Sequence, residues 1–233
     1  TGIHAAVPER CIIEGNIISG ANSGDIVVDG VIGTASTNNS VNICNNISHN
    51  NKGEFFTKYR GAFQNIKNAG NICDNVLTDG ASFYMFHMLS VTNRGVINRL
   101  HSFIDNTLRL GYSTANESGF VHSFLTVDIE NYDYETVAVN NNLIDIANTS
   151  ASARPVYVIS QTAGFTGSLK KLIVKGNVFD NGHYISGPVF FTRTPLSFDL
   201  DIDYDWSSTA NTAANALTVF TSDNTQIDAE LRV

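Results

Sequence analysis

The chain has 233 residues, a net charge of −8 and 42% hydrophobic residues, which suits one domain with a substantial core. The acidic balance, without any basic run, argues against a nucleic-acid or acidic-membrane partner. No stretch is apolar enough to insert in a membrane as a spanning helix, and no secretory signal is visible.

From the N-terminus onward, seven segments end an apolar strand in Gly-Asn, Asn-Asn or a near relative and restart with an apolar residue. They read CIIEGNII, VNICNNIS, GNICDNVL, HSFIDNTL, VAVNNNLI, LIVKGNVF and LDIDYDWS. Aligned on Asn16, Asn46, Asn75, Asn106, Asn142, Asn177 and Asp205, their spacings are 30, 29, 31, 36, 35 and 28 residues. Three positions earlier stand Ile13, Ile43, Ile72, Phe103, Val139, Val174 and Ile202. One position later stand Ile17, Ile47, Val76, Thr107, Leu143, Val178 and Trp206. A mixed column (Glu14, Cys44, Cys73, Ile104, Asn140, Lys175, Asp203) lies between them, so the pattern predicts a strand with one face in the core. The residue before each aligned Asn (Gly15, Asn45, Asp74, Asp105, Asn141 or Gly176) suits a bend with left-handed backbone angles.

A second apolar strand follows in each copy, at 26–28, 55–59, 83–89, 120–125, 155–160, 189–191 and 217–220, and weaker third strands appear at 62–66 and 125–129. Helical periodicity is scarce. The predicted fold is all-β: a right-handed single-stranded parallel β-helix, a solenoid of about seven rungs over residues 1–206. Residues 207–233 are expected to form a last rung and a C-terminal cap or subunit contact. Seven rungs at ~4.8 Å give a column on the order of 34 Å long. The chain starts at Thr1 in sequence that already reads as repeat, so a piece of a longer protein is expected. The 27 asparagines fit stacked amide ladders on successive rungs.

Cys11, Cys44 and Cys73 make no even disulfide framework, and Cys44 and Cys73 are expected as neighbouring thiols in one outward column. No metal site is expected, since no matching His or CxxC accompanies them, and no cofactor is implied. The Asn-x-Ser frames at Asn38, Asn46, Asn116 and Asn148 read as accidental in so Asn-rich a chain.

The recurring I-x-x-N-x-I/V/F rung, with Gly-Asn, Asn-Asn or Asp-Asn at the bend, resembles the β-helix of the pectate-lyase-like superfamily. Its acidic, Asn-rich, low-cysteine character is most similar to a bacteriophage tailspike shaft. That resemblance implies a homotrimer on the virion tail that binds, and often cleaves, a bacterial surface polysaccharide such as capsule or O-antigen. The Asn-Thr-Asp, Asp-Asp and Gly-His-Gly segments of polygalacturonases are absent, with Gly182-His183-Tyr184 the nearest fragment. So is the Trp-x-x-Asp-His segment of pectate lyases, Trp206 being the sole Trp. A secreted polysaccharide lyase or epimerase, and a non-catalytic shaft or adhesin, are the alternatives.

The longest copies carry insertions at 111–119, 130–136 and 147–155, and loops on adjacent rungs wall a groove. Tyr112, Tyr132 and Tyr134 offer rings to sugar faces, Asp133 accepts hydroxyl hydrogen bonds, and Arg154 suits an acidic or N-acetyl group. Asp128 and Glu130, at i and i+2, project from one strand face with Cα atoms about 7 Å apart, compatible with the roughly 6.5–9.5 Å between carboxyl groups in inverting glycosidases. Either is the expected base of a glycoside hydrolase, with Glu117 or Glu135 as acid. Asp199, Asp201, Asp203 and Asp205 read as a solvated acidic face, and Lys58 and Arg60 as an outward basic pair suited to an acidic patch on a neighbouring subunit. The doubly apolar strand 83–89 predicts a covered outer face, best explained by packing about a threefold axis.

Overall fold

The structure, a computed structural model, describes residues 2–6, 9–30, 39–61, 63–76, 83–89, 97–110, 122–127, 133–146, 156–161, 168–181, 190–191, 199–208, 219–220 and 226–227. All regular elements among them are strands. The first turn of chain gives β1 (Ile3–Ala6), β2 (Arg10–Glu14) and β3 (Ile17–Ser19). The next gives β4 (Ile26–Asp29), β5 (Ser40–Cys44) and β6 (Ile47–His49). Then follow β7 (Phe55–Arg60), β8 (Asn65–Ala69) and β9 (Ile72–Val76). After them come β10 (Phe83–Leu89), β11 (Ile97–Ile104) and β12 (Thr107–Leu110). The triplet recurs as β13 (His122–Val127), β14 (Asp133–Asn140) and β15 (Leu143–Ile146). The remaining strands are β16 (Val156–Gln161), β17 (Ser168–Asn181), β18 (Phe190–Phe191), β19 (Asp199–Ser208), β20 (Val219–Phe220) and β21 (Gln226–Ile227).

Every third strand pairs. One sheet runs β1-β4-β7-β10-β13-β16-β18-β20-β21, and the other runs β2-β5-β8-β11-β14-β17-β15-β12-β9-β6-β3 with β19 beside β17. The long β17 passes through the bend, so its first half pairs with β14 and its second with β15, joining two columns into one sheet. All pairings are parallel except β20 with β21. The architecture is thus three columns of parallel strands stacked as in a β-solenoid, in line with the predicted all-β class.

The bend between the second and third columns is the organising element. Gly15, Asn45, Gly70, Asp105, Asn141 and Gly176 all take φ between 54° and 69°, angles that Gly, Asn and Asp tolerate best. At Gly70 the demand is double, because a Cβ there would also lie 2.6 Å from Asn45 Oδ1. Each bend residue is followed by an asparagine whose side chain turns inward. Asn16 Nδ2 donates to Asn46 Oδ1 at 2.9 Å, Asn46 to Asn71 at 3.0 Å, Asn71 to Asn106 at 2.9 Å, Asn106 to Asn142 at 3.1 Å and Asn142 to Asn177 at 2.8 Å. Each Oδ1 also accepts the backbone N–H of the preceding ladder residue, as Asn142 Oδ1 does from Asn106 N at 2.9 Å. The second Nδ2 hydrogen goes to a strand carbonyl, from Asn106 to Asn68 O at 3.1 Å and from Asn142 to Phe103 O at 3.0 Å.

The ladder corrects the alignment at two places. In GNICDNVL both Gly-Asn and Asp-Asn match the pattern, but the bend is taken by Gly70-Asn71, and Asp74 and Asn75 lie inside β9. In β19 the register places Tyr204, not Asp205, opposite Asn177, and Asp205 opposite Val178. A third correction concerns sidedness. Because the ladder asparagine itself faces in, the residue after it faces out: Ile17 is 73% exposed and Val178 37%. The core side is taken instead by Ser48, Cys73, Leu108 and Ile144, all buried, together with Val41, Ile43, Phe103, Val139 and Val174.

Cys44 therefore stands opposite Ala69, while Cys73 is buried opposite Ser48, so the two are not neighbours in one outward column; all three thiols are free. Asn46 is likewise fully buried, which closes it to glycosylation. Around β10 the aromatic packing is dense, with the Phe86 ring 5.0 Å from Phe103 and 5.2 Å from Phe124. Phe83, Met85, Phe86, His87 and Met88 are all buried within the single chain, so the covering of this strand needs no second subunit. Nor does Arg60 wait for one: its guanidinium forks onto Asp29 at 2.5 and 2.7 Å, and Lys58 Nζ lies 5.2 Å over the Phe55 ring. Asp199 of the acidic row stands in register opposite Lys171.

Replacing Asn106 by Ala strips partners from Asn71 N, Asn71 Nδ2, Asn68 O and, in part, Asn142 Oδ1. The expected loss is roughly 3–5 kcal/mol in denaturant unfolding, against about 1 kcal/mol for Asn16→Ala at the ladder's end. Equal losses at the two positions would refute the cooperative ladder.

Candidate functional site

The connections that carry the sequence-predicted residues can be placed by the strands they join. Residues 111–121 lead from β12 to β13 and 147–155 from β15 to β16. The strands they leave are in-register neighbours (Thr107↔Leu143, Arg109↔Asp145), and so are the strands they enter (His122↔Val156). Residues 128–132 instead join β13 to β14, leaving β13 at its far end. The connection bearing Glu117 thus enters β13 at His122, and the one bearing Asp128 and Glu130 leaves it at Val127, at the other end of a six-residue strand.

Glu117, Asp128, Glu130, Tyr112, Tyr132 and Arg154 themselves lie outside the described residues. Asp133 is the first residue of β14, in register between Ile97 and Ser168. Tyr134 is buried, its ring and that of His101 forming a T-shaped pair at 5.2 Å, so the side chain is spent on packing rather than presented to a ligand. Glu135 is partly exposed, with Oε1 3.9 Å from Lys170 Nζ.

The outer face of the column β3-β6-β9-β12-β15-β17 carries what the sequence reading passed over. Ile17, Ile47, Ile72, Thr107, Leu143 and Val178 follow one another in register, forming an apolar stripe on the solvent side. Two residues further along the strands runs a row of charges. His49 Nδ1 lies 3.4 Å from Asp74 Oδ2, Arg109 Nη1 3.8 Å from Asp74 Oδ1, and Arg109 Nε 3.7 Å from Asp145 Oδ2. At these distances and exposures the ion pairs contribute little to stability, at most about 1 kcal/mol each. The signal was present in the sequence as the third residue after each ladder asparagine, legible only once Asn71 replaces Asn75 in the alignment.

Other titratable groups are internal. Asp25 accepts from Ser48 Oγ and from Asn51 Nδ2 at 2.7 Å, while its Oδ1 is buried without a partner. Burial pushes this carboxyl up to about 6 despite those two hydrogen bonds. The Cys73 thiol is pushed well up by burial and is no nucleophile. His101 donates from Nε2 to Phe63 O at 2.9 Å, and burial lowers it to about 4; His87, buried and facing the Lys58 charge, is also lowered to about 4. None of these is placed to meet a substrate. Among the described residues no three His, Cys, Asp or Glu side chains converge as metal ligands do. No protein family, curated protein or solved structure matches the chain.

These shifts set opposed pH dependences. The two histidines contribute stability above the unfolded value near 6.5, lost as pH falls toward about 4. Asp25 contributes stability below the ordinary 3.8, lost as pH rises through about 6. Two sites outweigh one, so stability should fall on acidification from 6.5 to 4. Asp25→Asn should steepen that fall in urea titrations across this range, and an unchanged slope would show that Asp25 does not stay protonated in the fold.

Proposed function

We propose that this chain is the β-solenoid shaft of a phage tailspike-type receptor-binding protein that holds a bacterial surface polysaccharide on its outer wall. The observation that carries this reading is the outward stripe Ile17–Ile47–Ile72–Thr107–Leu143–Val178, exposed at its two ends and half-buried between, beside the row His49–Asp74–Arg109–Asp145. Saccharides present apolar C–H faces and polar edges side by side, and such a pair of tracks matches both. The connections 111–121 and 147–155 follow neighbouring strands of this wall, β12 and β15. An alternating row of acids and bases also suits neutral or amino sugars, whose hydroxyls both donate and accept, better than a polyanion.

The test is retention of defined capsular and O-antigen fragments by the immobilised chain. Arg109→Ala and Asp145→Asn should each weaken binding about tenfold, equivalent to ~1.4 kcal/mol, without changing the melting temperature. Binding that survives both substitutions would move the site off this wall. A trimeric assembly, part of the same proposal, predicts a solution mass near three times 25.3 kDa by light scattering. A mass near 25.3 kDa would refute it for this chain.

A further inference from the structure

The sheet that contains β4, β7 and β10 carries on its outer face a cation that the wall described above does not use. Lys58 stands between Thr57 and Tyr59, both buried toward the core, so its side chain leaves β7 on the outside, where it is half-buried. Its Nζ lies 5.2 Å over the Phe55 ring. That ring packs in turn on Gly24, where a Cβ would fall 2.2 Å from Phe55 Cε2. One turn on, β10 places Tyr84 opposite Phe55 and His87 opposite Lys58, and the centres of the Tyr84 and His87 rings are 4.9 Å apart. Two contacts thus lie side by side on in-register strands, lysine on phenylalanine and histidine on tyrosine. Val27, opposite Lys58 on β4, closes the other flank with an apolar side chain.

The charge of this group is uncompensated. The chain has a net charge of −8, yet among the described residues no carboxylate pairs with Lys58. Asp29, the acid of the same face, is held by Arg60 at 2.5 Å and by His4 at 2.6 Å. His87 adds no second charge: burial first, and then the Lys58 ammonium, lower it to about 4, and its Nδ1 is buried without a partner. An ammonium steadied over an aromatic ring, with a phenol beside it and a neutral imidazole behind, offers one positive charge on an apolar floor. One cation matches a monoanion rather than a dianion such as phosphate, and the rings and Val27 match a ligand with an apolar body. We propose that Lys58, with the half-buried Tyr84 side chain beside it, binds a carboxylate carried by a small organic acid or a sugar acid. The site lies on a different sheet from the row of ion pairs and stands independently of the polysaccharide reading.

His87, in register with Lys58, supplies the reporter. Its imidazole C–H signals, identified by their loss in His87→Gln, are followed by NMR at pH 7 while sodium acetate, sodium glucuronate or sodium chloride is added at matched ionic strength. Both carboxylates should shift the His87 signals to saturation, and chloride should not. Glucuronate that saturates at about a tenth of the acetate concentration assigns the site to sugar acids, whereas equal concentrations assign it to carboxylates at large. Lys58→Arg should keep the response, and Lys58→Gln, which retains the stem over Phe55, should weaken binding at least about tenfold. A shift that chloride reproduces, or that persists undiminished in Lys58→Gln, overturns the proposal. So do His87 signals in the parent chain that neither carboxylate moves, a result that needs no variant to fold.

Discussion

The structure depends on one repeated interaction, the buried amide ladder from Asn16 to Asn177. Its geometry is restrictive: each side chain from Asn16 to Asn142 donates twice and, from Asn46 onward, each accepts twice, with donor–acceptor distances near 3 Å. Aspartate has no donors for this pattern, and serine has neither the reach nor the second hydrogen. The amide must also enter from a residue in the left-handed region, which confines the preceding position to Gly, Asn or Asp in every bend of the ladder. Sliding one turn past the next would break all of these bonds together. The ladder therefore fixes register at one corner, and the turns are free to differ in length everywhere else. Successive ladder residues are separated by 30, 25, 35, 36 and 35 positions, yet the strand pairings beside them stay aligned.

The bend also decides which chemistry points where. An inward asparagine resets the alternation, so the strand after the bend exposes the apolar residue that a straight strand would bury. Ile17 and its column become surface for that reason, and His49, Asp74, Arg109 and Asp145 share the same face. Polar groups inside the stack are satisfied only in part. Tyr59 donates to Asn68 Oδ1 at 2.5 Å, yet Asn68 Nδ2, Thr57 Oγ1, Asp25 Oδ1 and Nδ1 of His87 and His101 are buried without partners. Such groups lower the stability of the turns that hold them. The ladder's bonds, concentrated in the same turns, offset that cost.

Much of the frame was legible because its signal is local. A left-handed bend needs particular residues, and those residues recur at Gly15, Asn45, Asp105, Asn141 and Gly176 in plain view. The third copy was misread because two adjacent dipeptides satisfied the same local rule, and only the distance to Asn46 and Asn106 selects Asn71. Sidedness after the bend was lost for a related reason: alternation counted straight through a corner gives the wrong face. The covering of β10 is tertiary, and no local rule distinguishes a strand buried by its own chain from one buried by a neighbour. Tyr134 illustrates the same limit at the candidate site. Its place in an acidic, tyrosine-rich stretch suggested a sugar platform, but its partner is His101, more than thirty residues away in sequence.

A frame locked at one corner has a functional consequence. The outer wall beside the ladder is held to the strand spacing of the stack, so groups along it repeat at a fixed interval of ~4.8 Å. On the proposed reading, a polymer lying along the wall would meet acids and bases in alternation at that interval, and weak contacts would add along its length without the wall having to reorganise. The long ion pairs of Arg109 would suit that proposed use, because a ligand hydroxyl could replace them at little loss to the fold. A wall held together by its own side-chain pairs could not surrender them so readily. Here the amides hold the rungs in register from inside, so that register does not depend on the outer charges.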